Sequence, residues 1–115
     1  MARKITVKAV SAMLSGRNFK ENNTHVFYDE AGNQMVMNLH GNTIALLSDN
    51  GKRLEVNDCG WKTMVTYERL GELIRQFTGG IYTASMRKGG TLINLSTRKE
   101  KPLYSLGDDW ATFLA

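Results

Sequence analysis

Apolar and polar residues change rhythm along this chain, and the changes divide it into elements. Between residues 4 and 15 two periods compete. Val7, Val10, Met13 and Leu14 fall along one side of a helix, with Thr6 placed to cap its start and Gly16 to stop it. Ile5, Val7 and Ala9 also alternate with Lys4, Thr6 and Lys8, as a strand would. A helix from about residue 7, preceded by a short extended arm, is the expectation, and Asn18 to Asn23 is expected as a loop.

From residue 24 the alternation takes over. Thr24 to Asp29 reads as a strand, Ala31-Gly32-Asn33 as a turn, and Met35 to His40 as the returning strand. Gly41-Asn42 suits a tight two-residue turn because both residue types tolerate positive φ, which brings Thr43 to Leu47 back as a largely buried strand. Asn50-Gly51 is a stronger signal of the same kind. It leads into Arg53 to Val56, where Leu54 and Val56 face inward and Arg53 and Glu55 outward. The period then lengthens: Leu70, Leu73, Ile74 and Phe77 recur at i, i+3, i+4 and i+7 and predict a helix over 67–77, capped by Thr66 and ended by Gly79-Gly80. Gly71 inside it costs about 1 kcal/mol relative to alanine, so packing of the apolar stripe on the sheet must hold the helix. Ile81 to Arg87 and Thr91 to Ser96 read as a last hairpin joined through Gly89-Gly90. Asp108 to Leu114 fits two readings, a helical turn capped by Asp108 or a strand carrying Trp110 and Phe113 to the core. The expected class is α+β: a twisted antiparallel sheet, built as a meander of hairpins, packed against one main helix with a short N-terminal helix alongside.

Composition narrows the setting. At 115 residues, 42% hydrophobic and with one proline, the chain is expected to form a single domain over 1–115. Cys59 has no partner for an internal disulfide, and two histidines supply no zinc set, which suits a reducing cytoplasm. No apolar run reaches the length of a membrane span or of a signal-peptide core, so no membrane partner is expected. The formal charge of +4 is unevenly spread. Arg3, Lys4, Lys8, Arg17 and Lys20 occupy the first twenty residues without one acid, and the remaining 95 residues sum to minus one. Such a stripe can neutralise phosphates, and Phe19 beside it can stack on a base. The plainer reading is a solvated face that keeps a small protein soluble. Arg87, Lys88, Arg98, Lys99 and Lys101 form a second basic group, which joins the first only if folding brings both to one side.

The residues that invite chemistry each have a structural reading. His40-Gly41-Asn42 fits a turn, with His40 at its base bonding a backbone group, and no spacing pairs His25 or His40 with Cys59 or a serine as base and nucleophile. Asp58 beside Cys59 would raise the thiol pKa and make it less reactive. Trp61 is expected to pack where the last meander strand meets the helix, with ligand stacking as the alternative. Arg69 would either bind phosphate or bridge to Glu68 or Glu72. Glycine pairs at 79–80 and 89–90 lack the context of a phosphate loop, and no carboxylates have metal-ligand spacing, so neither an enzyme, a cofactor nor a metal site is expected.

Several segments together carry a resemblance. Gly16-Arg17-Asn18-Phe19, Asn23-Thr24-His25-Val26, Leu39-His40-Gly41-Asn42-Thr43-Ile44-Ala45, Gly60-Trp61-Lys62-Thr63 and Thr66-Tyr67-Glu68-Arg69-Leu70 resemble a family of small bacteriophage proteins with the pattern L-H-G-N-x-I-A followed by G-W-x-T-x-T-T-x-x-R-L-N. The resemblance covers about residues 16 to 75. It departs at Val65, where the family has threonine, and at Gly71, where it has asparagine. It implies a phage origin and a host-cytoplasm setting and implies no activity. The resulting expectation is a phage accessory protein of the host-takeover type that acts by binding, to nucleic acid or a nucleic-acid-associated host complex, through Arg3, Lys4, Lys8, Arg17 and Lys20. The alternative is a protein effector that inhibits or redirects a host enzyme, for which six methionines give adaptable contact groups. An uncapped edge strand leaves a homodimer open.

Overall fold

A computed structural model of the chain describes residues 3–104 and 110–115. Helix α1 spans Lys4–Ser15 and so starts earlier than the pattern suggested. Arg3 takes the cap position with an extended backbone and no side-chain cap, while Thr6 lies inside the helix, buried, with its hydroxyl donating to Glu68 Oε1 at 2.5 Å. A threonine whose hydroxyl is bound across to another helix cannot cap its own. At the far end Gly16 adopts φ 73° and ends α1 as expected. Its N–H reaches Met13 O, and the Arg17 N–H reaches Ala12 O, so the last carbonyls are satisfied by paired backward bonds.

Strands β1 (Phe19–Glu21), β2 (Thr24–Asp29), β3 (Gln34–Leu39), β4 (Asn42–Ser48) and β5 (Arg53–Val56) follow one another as an antiparallel meander. β1 replaces the expected loop: Asn22 accepts φ 53°, the chain reverses, and Phe19 pairs with Val26. The tight turn after β3 is formed by His40 and Gly41, one residue before the expected pair. Both have positive φ (52° and 80°), and Asn42 already belongs to β4 opposite Leu39. Beyond this turn a register shift between Met37 and Asn38 leaves Ile44 without a direct partner on β3, and buried. Between β4 and β5, Asp49, Asn50 and Gly51 all take positive φ, and β5 buries Leu54 and Val56 while Arg53 stays exposed, as the alternation required. The C-terminal alternatives resolve as a strand. β9 (Ala111–Leu114) pairs antiparallel with β5 and completes a six-stranded sheet in the order β1-β2-β3-β4-β5-β9, and Asp108 lies outside the described residues. β6 (Tyr82–Ser85), β7 (Thr91–Asn94) and β8 (Glu100–Pro102) form a separate three-stranded sheet, whose first two strands are the expected hairpin.

Helix α2 runs over Met64–Phe77. Its cap is Thr63, whose hydroxyl accepts from the Thr66 N–H at 3.2 Å, so the predicted cap Thr66 sits one turn inside the helix. Thr63 has the extended backbone a cap needs (φ −114°, ψ 162°), and its neighbour three residues on supplies the orphan N–H. Leu70, Leu73 and Ile74 share one core with Val10 and Met13 of α1 and with Val26, Met37, Leu54 and Val56 of the large sheet. The protein is therefore α+β, with both helices contributing to the core of a mostly antiparallel sheet. On its other side α2 meets β6 through Gly71. A Cβ there would stand 2.9 Å from Ala84 O and 3.0 Å from Thr83 Oγ1, and Thr83 Oγ1 donates to Gly71 O. Gly71→Ala gains about 1 kcal/mol of helix propensity but overpacks a backbone contact at a cost of about 1–3 kcal/mol. A lower urea midpoint is the expected result; an unchanged or raised midpoint would show that β6 moves aside freely.

Candidate functional site

One end of the large sheet gathers the Asn22-Asn23 turn, the His40-Gly41 turn and the loop that leads into α2. The two turns are tied together: the His40 N–H donates to Asn23 O at 2.9 Å, and the Asn23 amide lies 3.4 Å from His40 Nε2. Two concavities meet there and share His40. The first is an open groove of about 450 Å³ whose lining includes Lys20, Asn22, Asn23, His25, Asn38 and His40, and no carboxylate. Strand register builds it. Lys20 stands opposite His25 and His25 opposite Asn38, so the three form a row across β1, β2 and β3. His25 rests against Phe27 on the same face, ring centroids 4.7 Å apart.

The second concavity, about 260 Å³, is bounded by Leu39, Asn42 and Ile44 from the sheet, by Thr63, Val65 and Thr66 from the start of α2, and by His40 and Trp61. Trp61 does sit at the junction of sheet and helix, but it is not packed away: it is 57% exposed and forms a wall of this cavity. The turn that carries it is fixed from beneath. Asp58 is 3% exposed, and its carboxylate accepts from Tyr67 OH at 2.5 Å, Lys62 Nζ at 2.6 Å and the Gly60 N–H at 2.9 Å. The Asp58 carbonyl accepts the Trp61 N–H at 2.8 Å, and the Asp58 N–H donates to Tyr104 OH at 3.2 Å. Burial alone would raise the Asp58 pKa, but the donors from Lys62, Tyr67 and Gly60 outweigh it and hold the carboxyl below its ordinary value. The same pocket pushes the Tyr67 phenol upward, by burial first and by its bond to Asp58 second. Cys59 takes φ 55° and donates its thiol to Thr43 O at 3.0 Å; burial and then Asp58 raise its pKa, which keeps it a thiol.

Arg69 is not a phosphate ligand. It is 1% exposed, with Nε donating to Thr24 Oγ1 at 3.2 Å and Nη1 to Glu68 Oε1 at 3.0 Å and to Thr6 Oγ1. Of the two bridges the sequence allowed it makes the one to Glu68, while Glu72 pairs with Arg75 at 2.9 Å. Burial lowers the guanidinium pKa, with Glu68 opposing, and the residue serves as a strut under this end of the sheet.

The five N-terminal cations are spread along α1 and onto β1. Arg3 lies 3.6 Å from Glu68, Lys4 and Lys8 occupy exposed positions one turn apart on α1, and Arg17 folds back onto Ser11 Oγ at 3.1 Å. From residue 4 to residue 17 the helix line extends about 20 Å at 1.5 Å per residue. Lys20 alone of the five lines the groove. Phe19 points to the opposite face of β1 and packs against the core, so it cannot stack on a base; Phe27 occupies the groove side instead. The second basic group lies on and around the small sheet, where Arg87 pairs with Glu100 at 2.9 Å.

Sequence reasoning weighed His25 only as a base and did not single out Asn38, although each sits at a strand position between two buried neighbours. Among the described residues no group of His, Cys, Asp or Glu could hold a metal ion, and no helix is long and apolar enough to cross a membrane. In comparison with known proteins, residues 2–111 match the family described as Kyanoviridae Gp96 protein. No curated protein and no solved structure matches the chain.

Proposed function

The chain belongs to the Kyanoviridae Gp96 protein family, a family of phage proteins, and from that premise we propose that it is a phage accessory protein that binds nucleic acid at the two concavities meeting at His40. The observation that carries this reading is the acid-free groove, in which Lys20, two imidazoles and the amides of Asn22, Asn23 and Asn38 face one another across three strands. Those groups supply hydrogen-bond donors to phosphate oxygens from a fixed sheet surface. Lys4, Lys8 and Arg17 add exposed positive charge that speeds encounter with a polyanion, and the sequence pI of about 9.4 has the sign this requires. The work proposed for this site is binding and not turnover.

The test is titration of a labelled oligonucleotide at two salt concentrations. Affinity is expected to fall steeply with salt, Lys20→Glu to weaken it by about tenfold and to reduce the salt slope by about one, and Lys8→Glu to have a smaller effect. Binding that is absent or independent of salt would overturn the reading. So would a tagged protein that, after nuclease treatment of an infected-cell extract, retains one stoichiometric protein partner and never bound nucleic acid.

A further inference from the structure

The geometry points to a single-stranded ligand, with one unstacked base seated in the cavity against Trp61 while the backbone runs through the neighbouring groove; this rests on the nucleic-acid reading above. An indole normally hides most of its surface, yet Trp61 stays 57% exposed on a turn whose backbone is pinned through Asp58 to Gly60, Lys62, Tyr67 and Tyr104. Its exposure is therefore built in. The wall opposite is apolar, from Leu39, Ile44 and Val65, while His40 and Asn42 add polar groups able to pair with a base edge. At about 260 Å³ the cavity is smaller than the usual drug-sized site of about 300–1,000 Å³, which suits one planar base and not a base pair. Charge points the same way as shape, because His40 also lines the groove that carries Lys20 and no carboxylate. A strand draped over the His40-Gly41 turn places phosphates on one side of the imidazole and a base on the other. A base within a duplex reaches the cavity only after flipping, which costs a few kcal/mol.

Fluorescence anisotropy with an oligothymidylate of about twelve nucleotides, within the span of comparable single-strand sites, and a blunt hairpin duplex decides it. The single strand is expected to bind at least tenfold more tightly than the duplex. Trp61→Ala should weaken single-strand binding by about tenfold with its salt slope unchanged, and Trp61→Phe should restore most of the loss, because stacking needs an aromatic face and not a charge. Equal affinity for both ligands, with no effect of Trp61→Ala, would overturn the single-strand inference and leave the nucleic-acid reading standing; failure of both ligands to bind sinks both. Should Trp61→Ala not fold, Trp110→Phe leaves Trp61 as the sole indole. Its emission is then expected to be quenched by the oligothymidylate and not by an abasic strand of the same length, and equal quenching by the two would overturn the inference.

Discussion

Arg69→Ala is expected to remove about 3 kcal/mol of stability, measured as a shift of the urea midpoint at constant slope. Truncation takes a donor away from the hydroxyls of Thr6 and Thr24 and from the carboxylate of Glu68, which keeps Thr6 and Arg3 as its partners, and leaves a void at a position 1% exposed. Removing one member of a buried ion pair costs about 3–5 kcal/mol, and the lower end applies because Glu68 remains 23% exposed. Against a total of about 5–15 kcal/mol this is a large fraction. Arg69→Lys keeps the charge but not the fork that reaches α1, β2 and Glu68 together, so it should recover less than half of the loss. A loss below about 1 kcal/mol for Arg69→Ala would mean that water replaces the guanidinium without penalty.

Asp58→Asn is expected to cost about 2–3 kcal/mol at neutral pH, since hydrogen bonds to a charged acceptor contribute about 1.5–3 kcal/mol and the amide also presents donors toward Lys62 and Tyr67. The pH dependence has a definite sign. The folded-state pKa of Asp58 lies below its ordinary value of 3.8. The stabilisation is therefore complete above that ordinary value and is lost as the pH falls through the lower folded one. Wild type should lose stability on acidification below about pH 4 more steeply than Asp58→Asn, so that the two denaturation midpoints converge. Parallel curves for the two proteins would show that Asp58 is not the group responsible. Hydrogen exchange at Trp61 should also rise in the variant, because the Asp58 carbonyl that receives its N–H is no longer held in place.

The parts of this fold that could be read from sequence are those in which a residue's partner lies close by along the chain. Asn50-Gly51 fixed its hairpin through φ alone, and the Leu70, Leu73, Ile74, Phe77 stripe marked α2. The start of α2 was expected one turn late, at Thr66, whereas Thr63 has the extended backbone that a cap needs and takes the position. The turn at His40-Gly41 lies one residue before the expected pair because His40 itself takes a positive φ, and the bulge that follows it has no local signature. β9 depends on β5, far away in sequence, and its alternation over four residues does not distinguish a strand from a helical turn. The site was less legible for the same reason. Lys20, His25 and Asn38 become neighbours only through the register of three strands, and Asp58 meets Tyr104 across 46 positions. The charge excess near the N-terminus was visible, but of those five cations only Lys20 lines the groove.

Three segments converge on the guanidinium of Arg69: the first turn of α1 through Thr6, the start of β2 through Thr24, and α2 itself. None of them can fray alone without exposing a buried charge. The hydrogen-bonded amide protons of α1, from Val7 onward, should therefore exchange with solvent through the same rare opening as those at the centre of α2. This makes the edge of the molecule beneath His40 the last part to loosen, and gives whatever rests there a floor that does not breathe.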